Sequence, residues 1–333
     1  VKREISGEIK NLLSSAEQVL VVTHIGPDGD AIGSLTAVGV ALRQLGKQAT
    51  LACDDGVPSR FNFLPLTDYV QKGVNEKHQF DALIAVDCGD EMRMGQVFAD
   101  QADPRPPLIN IDHHITNTHF GAINLVEPQA TSTAEILHRL FPQLGVQMTP
   151  DLATCLLTGI VTDTLGFRIV GVNPATLAAA GALMQAGADL SFIMQNALTV
   201  KPISTLQLYR TGLNNMKLED DLLWTAISNR EREAAGHLGA GSAGLVNMLA
   251  DVDDVAIGMV LLEYNDGRVY VGFRCRPPFS VAELALNLGG GGHPLASGTT
   301  LKMPLAKAEA LVVGMCKESI RTQQAMLPED VVL

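Results

Sequence analysis

A chain of 333 residues exceeds what one hydrophobic core usually organises, so two domains are expected. Its formal net charge of −12 and its 5% aromatic content exclude an extended basic track for long DNA or RNA and a long base-stacking platform. A short anionic substrate held by a few arginines stays compatible with both. Apolar residues at 47% indicate a folded globular protein, and no apolar run reaches bilayer length. Five scattered cysteines without a CxxC pair exclude a disulfide framework or a zinc knuckle. Residues 1–10 lack the apolar centre of a secretory signal. A soluble, cytoplasmic protein is expected.

In chain order, residues 19–23 read as a buried strand ending at His24. Residues 31–45 show helical periodicity with Gly46 as a stop, and 48–53 read as the next strand. A third strand, 80–86, ends at Asp87, and a fourth, 107–111, ends at Asp112. Helices follow at 131–140, at 151–161 leading to Asp163, and at 176–186 closed by Gly187. Alternating strands and helices indicate a parallel α/β sheet, in which ligands gather at the carboxyl ends of the strands. Residues 189–216 are helical and more polar, with a break at Lys201-Pro202, and read as a connector. Beyond it come a strand at 222–228, a short helix at 243–249, and strands at 255–264 and 268–274 joined by the hairpin signal Asn265-Asp266-Gly267. A helix at 280–288 carries a capping-box pattern in Ser280 and Glu283, and the run Gly289–Gly292 ends it. A strand at 299–303 and a helix at 305–324 close the chain. The expected fold class is α/β: a parallel-sheet domain over 1–188, a helical connector over 189–216, and a smaller α/β domain over 217–333, with the active site in the cleft between domains.

Five short signatures follow this framework: His24-x-x-x-Asp28-x-Asp30, Val86-Asp87, Asp112-His113-His114, Thr162-Asp163 and Gly289-Gly290-Gly291-Gly292-His293. Taken singly, Asp28 or Asp30 reads as a turn former in its Gly/Pro loop, and Asp87 or Asp163 as a helix N-cap. As a set, carboxylates and imidazoles at one sheet edge repel or must share a cation. Adjacent residues leaving a strand point in different directions. The three residues of Asp112-His113-His114 therefore divide the work: one imidazole on metal, one toward substrate, and an aspartate orienting an imidazole. Oxygen-rich donors with a minority of imidazole suit Mn²⁺ or Mg²⁺ better than structural zinc. There are donors enough for two ions sharing one carboxylate. The glycine run exposes backbone N–H groups to which a phosphate could come close. Arg168, Arg274 and Arg276 are candidate phosphate clamps, though Arg276 taken alone reads better as a solvated surface residue. The stretch Gly239–Gly244 matches GxGxxG, but no buried strand precedes it, so it reads as a loop entering a helix.

The ordered set of acidic and histidine motifs resembles the four motifs of the DHH phosphoesterases. The run from Gly289 to Gly298 resembles the signature of the DHH-associated C-terminal domain. Within that family, Pro27-Asp28-Gly29-Asp30-Ala31-Ile32-Gly33-Ser34 and the two-domain length are most similar to the NrnA-like oligoribonuclease and pAp phosphatase group. The resemblance implies His24 and Asp28 on one Mn²⁺; Asp30, His113 and Asp163 on the other; and Asp87 bridging them. It implies Asp112 supporting the histidines and His114 facing the scissile phosphate. It also implies Arg274 and Gly290, Gly291, Gly292 and His293 holding substrate; Arg168 is a further candidate phosphate contact on its own chemistry. The cofactor would be two Mn²⁺, with Mg²⁺ or Co²⁺ as substitutes. The substrates would be short RNA oligonucleotides or pAp, with no membrane and no tracking of long DNA; a homodimer is compatible. The competing activities are a cyclic-dinucleotide or linear dinucleotide (pApA) phosphodiesterase and a non-catalytic nucleotide-binding regulator.

Overall fold

The computed structural model describes residues 3–74, 79–101, 105–239 and 241–327. The chain divides into two compact units, Val1–Val200 and Lys201–Leu333. In the first, α1 (Arg3–Ser15), β1 (Gln18–Val22), α2 (Gly29–Gln44), β2 (Gln48–Ala52), β3 (Ala82–Val86), α3 (Gly95–Ala99), β4 (Leu108–Asp112) and β5 (Ile123–Val126) precede α4 (Thr133–Leu144), α5 (Pro150–Asp163), α6 (Pro174–Gln185) and α7 (Leu190–Met194). A π-helical turn, Gln195–Thr199, follows. The strands form one all-parallel sheet in the order β2-β1-β3-β4-β5. β3 and β4 are buried at every position, β3 as a continuous apolar run, as in a sheet covered on both faces; β4 carries the buried polar residues Asn110 and Asp112. Strand order reverses between β1 and β3. The carboxyl ends of β1, β3 and β4 are therefore neighbours at the place where such sheets bind ligands.

Helix approach completes this edge. A Cβ on Gly33 of α2 would stand 2.6 Å from the Cys155 carbonyl oxygen of α5, and one on Gly159 of α5 would meet Asp30 Oδ1 at 2.5 Å. α2 and α5 thus cross backbone to backbone, and Asp30 and Asp163 are brought toward one another by the absence of two side chains.

The second unit holds α8 (Ile203–Asn214), β6 (Lys217–Glu219), β7 (Leu222–Ile227), α9 (Asn229–Ala234), α10 (Leu245–Ala250), β8 (Ile257–Glu263), β9 (Val269–Cys275), α11 (Ala282–Asn287), β10 (Gly291–His293), β11 (Ala296–Leu301) and α12 (Leu305–Ala325). Its six-stranded sheet runs β10-β11-β9-β8-β7-β6, parallel only between β7 and β8. Two α/β domains, one with a parallel and one with a mixed sheet, are the fold. The helical stretch read as a connector divides between them. Ile193 and Ala197 belong to the first unit's core, whereas Leu208 packs into the second.

Several local expectations change. The glycine run is a strand, not only a helix stop, because β10 pairs with β11 over Gly291–His293. The expected capping box at Ser280 and Glu283 does not form. Ser280 is tied at both its N–H and its carbonyl to Gln323 of α12, and α11 starts at Ala282 behind Val281, without a side-chain cap. A reciprocal box closes instead at Ser228 and Glu231 on α9. The strands β5 and β6 and the helices α3 and α9 are short, and carry too few residues to show a period. Among the described residues no single helix is long and apolar enough to cross a membrane.

Candidate metal centre

Each acidic motif sits at the end of an element that fixes it. β1 delivers His24, whose loop is bolted down by Ile25 N–H donating to the Arg93 carbonyl at 2.8 Å and Gly26 N–H donating to Asp55 at 2.6 Å. Asp28 is the N-cap of α2: its Oδ1 accepts the N–H groups of Asp30 and Ala31, both at 3.0 Å. The turn-forming role expected of it alone is therefore filled by one oxygen, while the residue also joins His24 and Asp87 in a group of donors within 4.8 Å of one another. Asp30, fully buried, accepts Thr133 and Ala134 N–H at 2.6 and 2.9 Å, at the N-terminus of α4. Helix N-termini supply such unpaired donors and favour negative charge.

Asp87 follows β3 in left-handed backbone, φ 60, an uncommon conformation for a residue other than glycine. Its Oδ2 lies 3.5 Å from His24 Nε2 and its Oδ1 3.5 Å from His113 Nε2. Thr133 Oγ1 donates to Oδ1 at 3.1 Å. Asp163, the last residue of α5, lies 3.1 Å from His113 Nε2. It is no N-cap: it stands at the negative end of a helix, where a carboxylate is disfavoured without a cation. Asp30, His113 and Asp163 form a second group within 4.8 Å, and Asp87, His113 and His114 a third.

Asp112 stands beside these groups and holds the His114 ring. His114 Nδ1 lies 2.7 Å from Asp112 Oδ1, while Asn117 Nδ2 donates to Asp112 Oδ2 at 2.6 Å and to the Cys88 carbonyl at 2.9 Å. Asn117 Oδ1 accepts from Asn110 and from the His119 N–H, so its amide cannot turn over. Asn117 and Thr133 are members of the site that the motifs did not disclose. Asn117 lies only five residues beyond Asp112, the one signal that could have found it; Thr133 is distant in sequence from all four motifs.

The electrostatics match a cation-binding cluster. Burial pushes the Asp163 carboxyl up to about 6. Burial and the charges of Asp87 and Asp163 also push Asp30 up. Burial alone would depress His113, but Asp163, Asp87 and Asp30 hold it well above its ordinary value. For Asp87 burial is outweighed by His24 and the other imidazoles, which hold its carboxyl low. A divalent ion would supply positive charge to this cluster, and metal binding of this kind displaces protons from the ligands. Carboxylates with two or three imidazoles are a donor set that suits Mn²⁺ or Mg²⁺. These His/Asp clusters can coordinate divalent metal.

The second unit gathers the other candidates except Arg168. In the sheet register Arg274 of β9 stands opposite Ala296 of β11, and Ala296 opposite His293 of β10. Gly272, Gly298 and Gly291 form the row two residues along, the next on the same face. Residues in one such row share a face of the sheet. That face therefore carries Arg274 and His293 beside a strip without side chains. Tyr270 lies along it, its hydroxyl 2.8 Å from where a Gly272 Cβ would be. A Cβ on Gly292, at φ 140, would stand 2.5 Å from the Ala296 carbonyl oxygen, whereas one on Gly291 would meet nothing within 4 Å. Gly290 would collide with the Gly298 carbonyl. Gly290 and Gly292 are thus accounted for by strand packing, and Gly291 is not. Arg168 belongs to the first unit, where its Nε donates to the Leu165 carbonyl at 2.8 Å. Arg276 is exposed and donates to the Val252 carbonyl. The GxGxxG stretch lies in a loop before α10, its Ala240 outside the described residues.

Fold and site define a class: a protein of two α/β domains whose parallel-sheet domain carries a carboxylate–imidazole centre for divalent metal. Residues 18–160 match the DHH family, N-terminal domain, and residues 238–313 match the DHHA1 domain. A bifunctional oligoribonuclease and PAP phosphatase NrnA of Thermus thermophilus is 33% identical over 305 residues, covering 91% of this chain and 90% of that protein. The NrnA of Bacillus subtilis is 26% identical, over 88% of this chain and 92% of that one. The cyclic-di-AMP phosphodiesterase PdeA of Listeria monocytogenes is 24% identical, over 93% of this chain but 49% of its own length. The crystal structure of an exopolyphosphatase-related protein from Bacteroides fragilis superposes with a TM-score of 0.88 at 22% identity, over 97% of this chain and 98% of that one, and shows the same fold. The chain belongs to the DHH/DHHA1 phosphoesterases, in the NrnA-like oligoribonuclease and PAP phosphatase family. Its activity is phosphoester hydrolysis on nucleotide substrates.

Proposed function

We propose that this protein is a Mn²⁺-dependent hydrolase that releases mononucleotides from oligoribonucleotides of about two to five residues and removes the 3′-phosphate of pAp. The observation that carries the reading is the sharing of Asp87. One of its oxygens faces His24, in the group with Asp28; the other faces His113, which joins Asp30 and Asp163. His24 and Asp28 would hold one ion, Asp30, His113 and Asp163 the other, with Asp87 between. Paired divalent ions offset the charge of the phosphoryl oxygens and favour in-line displacement by water.

The chain's own residues do the rest. Asp112, fixed by Asn117, orients the His114 ring through Nδ1. Burial would depress this imidazole, but Asp112 and Asp87 hold it above its ordinary value. From Nε2 it would deliver a proton to the leaving oxygen as the P–O bond breaks, the role of a general acid. Arg274, the Gly290–Gly292 backbone and His293 would select the substrate's other phosphate and nucleotide, and Arg168 would add a charge from the first unit. Catalysis would belong to residues 1–188 and selection to 217–333. The name of the PdeA relative supports a second reading, hydrolysis of a cyclic or linear dinucleotide.

A panel of pAp, pApA, cyclic di-AMP and RNA from dinucleotide to about a 24-mer, with Mn²⁺ and at two salt concentrations, tests both readings. kcat/KM should fall beyond about five nucleotides, with a shallow salt slope because few phosphates are held. Equal turnover of the long RNA would reject the short-substrate reading. Preferred cleavage of cyclic di-AMP would select the second. No turnover of any nucleotide would favour a binding regulator.

A further inference from the structure

The His24 imidazole has two polar neighbours on its Nδ1 side. The Ile25 carbonyl oxygen lies 2.9 Å from Nδ1, and Arg93 Nη2 lies 3.2 Å from it. Both cannot be hydrogen bonds at once. If Nε2, the nitrogen that faces Asp87, carries the metal, the neutral ring must bear its proton on Nδ1. That N–H then donates to Ile25, and the Arg93 guanidinium faces another donor. Arg93 is exposed at the site's edge, and among the described residues it is ion-paired to no carboxylate. Arg105, Arg139, Arg268 and Arg321 each hold one. Arg60 is a second arginine of this unit, stacked at 4.7 Å over the Phe61 ring, and it interacts electrostatically with Asp28. In a chain with 36 acidic and 24 basic residues, an arginine that stands beside a metal-capable carboxylate cluster and pairs with none of its acids leaves its charge to an anionic substrate.

We propose that Arg93, with Arg60 adding charge from the neighbouring loop, clamps a non-bridging oxygen of the substrate's reacting phosphoryl group on the catalytic unit itself. This rests on the phosphoesterase reading and gives that unit its own phosphate grip, independent of Arg274 and His293. A planar guanidinium fork fits a phosphoryl edge, and charged hydrogen bonds of this kind are the strong ones. Arg93 holds its place by its main chain. Its N–H donates to Asp90 and its carbonyl accepts from Ile25, so side-chain substitutions leave the turn intact.

The test uses the full chain loaded with Mn²⁺. Inorganic phosphate binding is measured by calorimetry, and steady-state kinetics are run on pAp and pApA, for wild type, Arg93→Gln, Arg93→Lys and Arg60→Gln. Arg93→Gln should weaken phosphate about tenfold or more, the loss of one charged hydrogen bond. It should raise KM for both substrates alike, and Arg93→Lys should recover part of the loss. Arg60→Gln should show a smaller effect in the same direction. Bound Mn²⁺ should equal wild type throughout. Wild-type phosphate affinity in Arg93→Gln overturns the clamp, as does a loss of bound Mn²⁺, which would make Arg93 a support for His24 instead. Should Arg93→Gln not fold, Arg93→Lys with unchanged phosphate affinity overturns it equally. Arg93-dependent phosphate binding in a wild type that cleaves no nucleotide would keep the clamp and refute the proposed function.

Discussion

His114 Nδ1 stands 2.7 Å from Asp112 Oδ1, and Asp112 is fully buried. One bond thus commits one ring nitrogen to the protein and leaves Nε2 for the role proposed above. It also separates His114 from its neighbour His113, which reaches Asp163 and Asp87 through Nε2.

His114→Ala should retain bound Mn²⁺ and lose kcat by about 10²–10⁴, the usual contribution of a positioned acid. Asn117→Ala, which frees Asp112 without touching substrate, should cost about 10–100-fold in kcat with KM little changed. Steady-state kinetics and elemental analysis on the same samples decide it. If His114→Ala empties a metal position while His113→Ala does not, the two imidazoles have exchanged roles.

Asp87→Ala should abolish turnover, by about 10³-fold or more, as when key transition-state electrostatics are removed. Ligands that bind only the folded state add stability. Mn²⁺ at about 100 times its Kd should therefore add roughly 2.7 kcal/mol. Thermal unfolding with Mn²⁺ and with a chelator reads this directly. A wild-type Tm that ignores chelation, or an Asp87→Ala protein with near-normal activity, contradicts the shared-carboxylate reading.

The glycine hairpin separates packing from function at neighbouring positions. Gly292→Ala places a Cβ against the Ala296 carbonyl at a positive φ and should lower stability by more than about 1 kcal/mol. Gly291→Ala meets nothing within 4 Å. It should leave Tm unchanged yet raise KM if substrate approaches that backbone. Arg274→Ala and His293→Ala should raise KM as well, with metal content intact. Unaltered KM in all three would remove the second unit from substrate binding.

Acid stability should depend on Glu135, which is 2% exposed. Burial would raise its carboxyl, but the Thr131 N–H and hydroxyl and Arg139 hold it below its ordinary value. A depressed carboxylate contributes stability above its unfolded pKa, about 4.3, and loses it as pH falls through the folded value. Glu135→Gln should therefore be destabilised near neutrality by about 1–3 kcal/mol, the cost of stranding buried donors. The gap to wild type should close below about pH 4. Urea unfolding from pH 3 to 8 measures it, and a gap independent of pH would refute the assignment.

The strand ends were legible because β1, β3 and β4 are mostly apolar runs that lead to His24, Asp87 and Asp112. A buried parallel strand leaves that mark in any one sequence, since both faces must be apolar. The motif residues could be named for the same reason: few folds place so many carboxylates and imidazoles directly after such runs. Tertiary structure alone decided the order β2-β1-β3-β4-β5, and with it which strand ends are neighbours. It decided that Asp163 closes a helix at its negative end instead of capping one, and that Thr133 and Asn117 serve Asp87 and Asp112. It also turned Gly33 and Gly159 into the close crossing that brings Asp30 toward Asp163, and the glycine run into a strand beside β11. Periodicity records which face of an element is buried. It holds no record of which partner buries it, and each of these features is a relation between partners distant in the chain.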